Sequence, residues 1–201
     1  MKIGLLGGTF DPVHLGHLIV AEEVRVGLGL DKMLFIPAGM PWLKEGREIA
    51  AGDHRLAMVR LAIEENPYFE VSTTELERPG ASFSVDTVEA MAGDLGPEGA
   101  LFFAAGPDAL NDLPRWKDPA RLISRCRIVA VSRPGFPALD LRLLEAALPG
   151  ISTRIDTVEV SQIGISSTSI RERVRRDLSI RYLVPPKVER YIEEHGLYSS
   201  E

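Results

Sequence analysis

Short runs of Val, Ile, Leu and Phe alternate along this chain with longer segments in which hydrophobic residues recur every three or four positions. The short runs are typical of strands buried on both faces, and the longer segments are typical of amphipathic helices. The predicted strands are Lys2–Gly7, Lys32–Pro37, Phe69–Thr73, Ala100–Ala105, Arg127–Ser132 and Thr153–Val160. Because strands that alternate with helices form parallel sheets, the pattern predicts an α/β fold: a Rossmann-like αβα sandwich with a parallel sheet and crossover helices.

Amphipathic helices are predicted between these strands and near the end of the chain. The hydrophobic stripe of the first helix consists of His17, Val20, Ala21, Val24 and Leu28. Asp53 and Ser84 are residue types that cap helices, and each precedes a further helical pattern. Two more helices are predicted at 167–176 and 187–195. Since ligands of such folds bind at the carboxyl ends of the strands, we expect the chemistry in the turns that follow them.

Composition narrows the class of protein. The chain has 201 residues and a formal net charge of −6. We expect residues 1–201 to form one domain, with a helical segment at about 165–198. The acidic balance disfavours nucleic-acid binding, which needs a basic surface. Cys126 is the only cysteine, so no intramolecular disulfide can form. With neither a signal-peptide pattern nor a long apolar run, the sequence predicts a cytoplasmic protein without membrane contact.

The turn after the first strand, GGTFDPVHLGH at residues 7–17, carries the strongest chemical signal. Gly7 and Gly8 are expected to let the backbone approach a ligand closely and to adopt dihedrals closed to other residues. Three positions apart at a helix start, His14 and His17 should face the same way, beside free N–H groups and the positive end of the helix dipole. The pair therefore predicts a phosphate-binding site. Metal binding by the pair, with Asp11 as third ligand, stays an alternative.

The same motif resembles the signature of the HxGH nucleotidyltransferase superfamily and, within it, of the bacterial nicotinate mononucleotide adenylyltransferases. Residues 165–171, ISSTSIR, are similar to the second motif of that family, and residues 179–198 resemble its C-terminal segment. The resemblance implies a nucleotidyltransferase domain that transfers AMP from ATP to nicotinate mononucleotide in NAD biosynthesis, giving nicotinate adenine dinucleotide and pyrophosphate. ATP and nicotinate mononucleotide are the implied partners. Mg²⁺ is expected to be carried mainly by the ATP phosphates, without a protein ligand.

Three groups of site residues follow from the resemblance. The implied catalytic residues are His14, His17 and Arg171. The implied ATP-binding residues are Gly7, Gly8, Thr9, Phe10, Gly106, Asp108, Ser166, Ser167 and Thr168. The residues implied to bind nicotinate mononucleotide are Lys44, Phe83, Ser84, Thr87, Trp116 and Arg133. A serine-rich helix cap is the alternative interpretation of residues 166–168.

The resemblance also implies a preference between the acid and the amide of the acceptor. Family members offer backbone N–H groups at the position of Phe83 and Ser84 to the nicotinate carboxylate, and an amide would need an acceptor there as well. We therefore expect nicotinate mononucleotide to be preferred over nicotinamide mononucleotide. This chain departs from the family pattern at residues 41–44, Pro-Trp-Leu-Lys where Pro-Pro-His-Lys is frequent, and at Pro107, where alanine is usual.

Two other functions stay open from the sequence. Phosphopantetheine adenylyltransferases share the first motif but typically carry Thr-x-Gly-His, where this chain has His14. A non-catalytic sensor of adenine nucleotides would use the same turns to bind without reacting. Walker A and zinc-finger patterns are absent, so the sequence gives no support for an ATPase or a DNA-binding protein.

Overall fold

Six parallel strands form one sheet. The computed structural model describes residues 1–40, 49–96, 98–132, 139–161 and 163–199. The strands are β1 (Lys2–Gly8), β2 (Lys32–Pro37), β3 (Phe69–Val71), β4 (Ala100–Ala105), β5 (Arg127–Ser132) and β6 (Ile155–Glu159). Their spatial order is β3-β2-β1-β4-β5-β6, and each neighbouring pair is parallel. This is the Rossmann strand order, in which the direction of winding reverses between β1 and β4.

Helices connect the strands and follow the last one. They are α1 (Leu15–Leu28), α2 (Gly52–Ile63), α3 (Thr74–Glu77), α4 (Ser84–Asp94), α5 (Pro107–Asn111), α6 (Pro119–Arg125), α7 (Leu141–Ala147), α8 (Ser167–Arg175) and α9 (Pro186–Glu194). Short 3₁₀ helices occupy Leu113–Arg115 and Ile151–Thr153. No helix in the described ranges is long and apolar enough to cross a membrane.

Alternate strand residues point to opposite faces of the sheet and build two separate cores. Leu6 of β1 packs in one core with Ala21 of α1 and Ile170 of α8. Leu5, its neighbour, packs in the other core with Val88 of α4. Since strand side chains alternate with a period of two, β1 contributes to both layers. The predicted αβα sandwich is confirmed.

The helix starts differ from prediction at two positions. Helix α2 begins at Gly52 with Ala51 in the cap position, so Asp53 is not the cap but lies in the first turn. Its carboxylate still interacts favourably with the helix dipole there. Helix α4 begins at Ser84 itself, and Phe83 takes the cap position. Both predicted caps were wrong by one or two residues, and neither helix start has a hydrogen bond from a capping side chain.

Two strands are shorter than predicted. The strand predicted at Phe69–Thr73 ends at Val71, since α3 begins at Thr74. The strand predicted at Thr153–Val160 begins at Ile155, because Ile151–Thr153 form a 3₁₀ turn. The β1–α1 turn is unaffected, and β1 continues one residue beyond its predicted end, to Gly8.

Candidate active site

A cavity of about 410 Å³ opens at the carboxyl ends of β1 and β4, where the strand order reverses. This crevice is the general ligand position of doubly wound sheets. From the first motif it is lined by Thr9, Phe10, His14 and His17. From the second motif it is lined by Ser166, Ser167, Thr168 and Arg171, and Gly106 follows β4 at its edge. The structure therefore brings both sequence motifs to one cavity.

The two histidines are held as a stacked pair. His14 is the cap residue of α1, and its backbone N–H donates to Nδ1 of His17 at 3.1 Å. The ring centroids lie 3.7 Å apart with an interplanar angle of 25°. Because Nδ1 of His17 accepts a hydrogen bond, the neutral ring carries its proton on Nε2. His17 can therefore donate from Nε2 to an anion, and His14 is largely buried beneath it.

The unusual dihedrals predicted for the two glycines of this turn are not found, and their approach to a ligand stays a prediction. Neither Gly7 nor Gly8 has a positive φ, and the residue with left-handed backbone in this turn is Phe10, with φ 50°. A Cβ at Gly8 would lie 2.9 Å from Cζ of Phe10, so Gly8 makes room for that buried ring. The Phe10 ring in turn packs edge-on to His17 with centroids 5.0 Å apart. Gly8 thus supports the position of the histidine through Phe10.

The second motif begins α8 and reaches back to the first. Ser166 caps the helix by accepting a hydrogen bond from the backbone N–H of Ser169 at 3.1 Å, so the helix-cap interpretation holds for this residue. The hydroxyl of Ser167 donates to the backbone carbonyl of Pro12 at 2.9 Å. Thr168 is exposed at the cavity. The amino end of α8 therefore faces the same space as the amino end of α1, and both suit an anion.

Arg171 is fixed by the first motif. Its Nη1 donates to the backbone carbonyl of Asp11 at 2.6 Å and lies 3.6 Å from Oδ2 of the same residue. Its Nε is buried and has no hydrogen-bond partner among the residues that the structure describes. The guanidinium thus lies against the cavity with one edge held by protein.

The sequence does not identify Arg55 and Tyr198 as site residues, and it identifies Asp11, which lines the cavity, only as an alternative metal ligand. The Asp11 carboxylate accepts from the Tyr198 hydroxyl at 2.7 Å and from the Ala50 N–H at 3.2 Å. Arg55 donates from Nη1 to the Thr9 carbonyl and from Nε to the Ala50 carbonyl, both at 2.9 Å. Burial lowers the pKa of Arg55. These partners lie far apart in sequence, so no local pattern could identify them.

The donor set does not favour a metal bound by protein at this cavity. Asp11, the third ligand of the alternative metal site, is occupied by Tyr198, Ala50 and Arg171. Across the described ranges, no three or more His, Cys, Asp and Glu side chains come together in a way that could hold a metal ion.

Four residues predicted to bind the acceptor, Phe83, Ser84, Thr87 and Trp116, are absent from the lining of this cavity. Phe83 and Ser84 are at the start of α4, and the Phe83 ring has Nζ of Lys117 4.7 Å from its centroid. Trp116 packs edge-on against Phe103 of β4 with centroids 5.9 Å apart. Lys117 also pairs with Asp86 at 2.9 Å, and its position over Phe83 could not be seen in the sequence.

The fourth of these residues, Thr87, needs a correction. Its side chain is fully buried, and its hydroxyl donates to Oε1 of Glu75 at 2.7 Å and accepts from Nη1 of Arg78 at 3.2 Å. A hydroxyl that is enclosed in this way does not reach a ligand. The same hydroxyl lies 3.3 Å from the Phe83 carbonyl, so Thr87 instead joins the buried Glu75 to the start of α4.

The remaining predicted site residues are Asp108, Lys44 and Arg133. Asp108 is exposed in the first turn of α5, directly after Gly106. Pro107 starts that helix, where its missing N–H costs no hydrogen bond, so the departure from the family pattern leaves the turn intact. Lys44 and Arg133 lie outside the described residues, and their roles stay predictions.

Comparison with known proteins places the chain in a family. Residues 5–173 match the cytidylyltransferase-like family. A probable nicotinate-nucleotide adenylyltransferase of Roseiflexus sp. (strain RS-1) is 50% identical over 98% of this chain and 97% of its own length. That of Thermus thermophilus is 46% identical over 98% of this chain and 100% of its own length. The chain therefore belongs to the cytidylyltransferase-like family and, within it, to the nicotinate-nucleotide adenylyltransferases.

Solved structures agree on the fold. The nicotinic acid mononucleotide adenylyltransferase of Plasmodium falciparum, complexed with NaAD, has a TM-score of 0.77 at 18% identity, covering 98% of this chain and 97% of its own. The same enzyme complexed with APC has a TM-score of 0.76, covering 98% and 96%. At this level of identity the likeness concerns the arrangement of the backbone. The family resemblance and the Rossmann-like fold predicted from the sequence are both confirmed.

Proposed function

We propose that this protein transfers AMP from ATP to nicotinate mononucleotide, giving NaAD and pyrophosphate, as the names of its relatives indicate for them. The observation that carries the proposal is that the stacked His14–His17 pair, the amino end of α8 and Arg171 line the same cavity. These groups are hydrogen-bond donors and positive dipole ends, which suit a polyphosphate. The single cysteine fits a reducing compartment, and we propose the cytoplasm.

The reaction needs positioning more than proton transfer. A phosphate oxygen of nicotinate mononucleotide, already ionised at neutral pH, forms a bond to the α-phosphorus of ATP. The bond from that phosphorus to the bridging oxygen of the β-phosphate breaks, and pyrophosphate leaves with the electron pair. Since the nucleophile arrives charged, no general base is required, and catalysis consists of alignment and charge stabilisation.

Each described group has a proposed role in that step. His17 donates from Nε2 to a phosphate oxygen, with its ring held by His14 and Phe10. The backbone N–H groups at Ser167 and Thr168 and the guanidinium of Arg171 stabilise negative charge on the leaving pyrophosphate. Mg²⁺, when bound with ATP, supplies further neutralisation of phosphate charge.

The acceptor is proposed to lie towards Phe83 and Trp116. The first turn of α4 offers backbone N–H groups next to the Phe83 ring. Lys117, which is paired with Asp86 at 2.9 Å, lies 4.7 Å from that ring's centroid. Backbone donors suit the nicotinate carboxylate better than an amide, which would need an acceptor as well. We therefore propose that nicotinate mononucleotide is preferred over nicotinamide mononucleotide.

One assay tests the activity and the choice of acceptor together. The full chain is mixed with ATP, Mg²⁺ and one acceptor: nicotinate mononucleotide, nicotinamide mononucleotide or phosphopantetheine. We expect pyrophosphate and NaAD with the first acceptor, and a kcat/KM at least about tenfold lower with the amide. Pyrophosphate release with phosphopantetheine alone would identify a different adenylyltransferase. Binding of ATP with no pyrophosphate from any acceptor would identify a sensor.

A further inference from the structure

A tyrosine near the end of the chain contacts the acid that holds Arg171. The hydroxyl of Tyr198 donates to Oδ1 of Asp11 at 2.7 Å, across 187 positions of sequence. The other oxygen of Asp11, Oδ2, lies 3.6 Å from Nη1 of Arg171. The same Nη1 donates to the Asp11 carbonyl at 2.6 Å. Tyr198, Asp11 and Arg171 therefore form one continuous set of contacts that ends at the cavity.

Asp11 depends on Tyr198 for a strong hydrogen bond. Its carboxylate is only 3% exposed, and a buried carboxylate needs donors for its oxygens. Besides Tyr198, Oδ1 has only the longer bond from the Ala50 N–H, at 3.2 Å, among the described residues. Without the phenol, we expect the carboxylate to turn towards Arg171, the nearest cation, and to draw the guanidinium away from the cavity.

The phenol is suited to act as a permanent donor. Burial and the neighbouring charge of Asp11 raise the pKa of Tyr198, so its hydroxyl keeps the proton throughout the neutral range. Arg171 is in turn sensitive to the position of Asp11, because its Nη1 is held by that residue at two atoms. Arg171 is also part of the cavity lining.

From these contacts we propose that Tyr198 is a positioning residue for adenylyl transfer, which acts through Asp11 to direct the guanidinium of Arg171 into the cavity. The inference rests on the proposed function, since it requires that Arg171 contact a phosphate there. Tyr198 itself does not line the cavity. Its effect on the reaction therefore passes through Asp11 and Arg171.

The first arm of the test compares two tyrosines of the C-terminal segment. In the full chain, Tyr198→Phe removes only the hydroxyl, and we expect kcat with ATP and nicotinate mononucleotide to fall about tenfold. The matched control is Tyr191→Phe in α9, whose hydroxyl lies 2.9 Å from Nδ1 of His54 instead of Asp11. We expect its kcat to stay within about twofold of the parent value. Thermal unfolding identifies a temperature at which every variant is folded, and rates are compared there.

The second arm separates positioning from general stability. Tyr198→Phe is combined with Arg171→Ala, and we expect it to change kcat by less than about twofold in that background, because no guanidinium is left to position. An equal factor in both backgrounds would indicate a structural role and overturn the inference. So would a Tyr198→Phe enzyme as active as Tyr191→Phe while Arg171→Ala is impaired. If Arg171→Ala is itself fully active, the proposed role of Arg171 fails, and the inference fails with it.

Discussion

Ser167 donates a hydrogen bond from its hydroxyl to the carbonyl of Pro12 at 2.9 Å, although the two residues lie 155 positions apart. Pro12 belongs to the turn between β1 and α1, and Ser167 is the first residue of α8. The bond therefore joins the two sequence motifs directly. Because both helices begin at this contact, their amino ends face one cavity, which is the condition for holding a polyphosphate between them.

Replacing Ser167 should remove the hydrogen bond that joins α8 to the turn before α1. We expect Ser167→Ala to lower the free energy of unfolding by about 1 kcal/mol, the usual value of one such hydrogen bond. We also expect kcat/KM for ATP to fall several-fold, since the amino end of α8 loses its tie to the first motif. Urea unfolding and initial rates measure the two effects. Ser124→Ala is the control: the Ser124 hydroxyl also donates to a carbonyl, that of Arg121, but at an exposed position of α6. Equal kcat/KM in both variants would contradict the prediction.

His17 offers the most direct test of the chemistry. Its Nδ1 accepts from the His14 backbone N–H, and the residue lines the cavity, where we propose that Nε2 donates to a phosphate. We expect His17→Ala to lower kcat about 100-fold or more, because a donor aimed at transition-state charge is removed. The melting temperature should change by only a few degrees, since the ring is partly exposed and lies in a cleft.

A second histidine serves as the control for that experiment. His195 is exposed at the end of α9, where its Nδ1 lies 2.9 Å from the Tyr191 carbonyl, and it is absent from the cavity lining. His195→Ala should keep kcat within about twofold of the parent enzyme. If His17→Ala retains full kcat at saturating ATP and nicotinate mononucleotide, its catalytic role is disproved.

The sequence predicts those parts of the site whose residues lie close together along the chain. His14 and His17 lie within one helical turn, and the strands before and after them have a clear pattern, so the turn that carries them could be located without coordinates. Thr87 shows the opposite case. Its spacing from Phe83 and Ser84 fits a ligand contact equally well, and only the packing of Glu75 against α4 reveals that its hydroxyl is enclosed.

Long-range polar contacts account for the remaining differences. Tyr198 and Asp11 are joined across nearly the whole chain, and no periodicity links them. The helix starts at Gly52 and Ser84 have no hydrogen bond from a capping side chain, so the residue types that usually cap helices do not locate them. Local preference is a weak guide where tertiary contacts compete with it.

Thr87→Val tests the corrected role of Thr87. Valine keeps the shape but removes the hydroxyl that joins Glu75 to Arg78, so buried polar groups lose a partner at a cost of about 1–3 kcal/mol. Because this cluster supports the first turn of α4, we expect KM for nicotinate mononucleotide to rise several-fold and KM for ATP to change little. Steady-state kinetics and urea unfolding give both results.

The control for that substitution is Thr157→Val. Thr157 is exposed on β6, the edge strand of the sheet, and far in sequence from α4. We expect its stability to stay within about 0.5 kcal/mol of the parent and both KM values to be unchanged. Equal rises in KM for ATP and for nicotinate mononucleotide in Thr87→Val would show that Thr87, Glu75 and Arg78 do not act specifically on binding of nicotinate mononucleotide.

Cys126 gives a prediction for alkaline pH. Burial raises the pKa of its thiol from 9.0 to about 12. Below pH 9 the folded and unfolded chains both keep this proton, so the group adds no pH dependence. Between about pH 9 and 12 only the unfolded chain loses it. The folded state then binds more protons, and the free energy of unfolding falls by up to about 1.4 kcal/mol per pH unit.

Comparison with Cys126→Ser isolates this contribution from the other groups that titrate at high pH. The serine hydroxyl does not ionise in this range, and it can keep the bond that Sγ makes to the Leu122 carbonyl at 3.4 Å. We expect the unfolding free energies of the two proteins, measured in urea from pH 8 to 11, to run parallel up to pH 9. Above it the parent curve should fall more steeply, because the serine variant lacks the titrating thiol. Curves that stay parallel to pH 11 would mean that the thiol ionises as readily in the folded protein as in the unfolded chain.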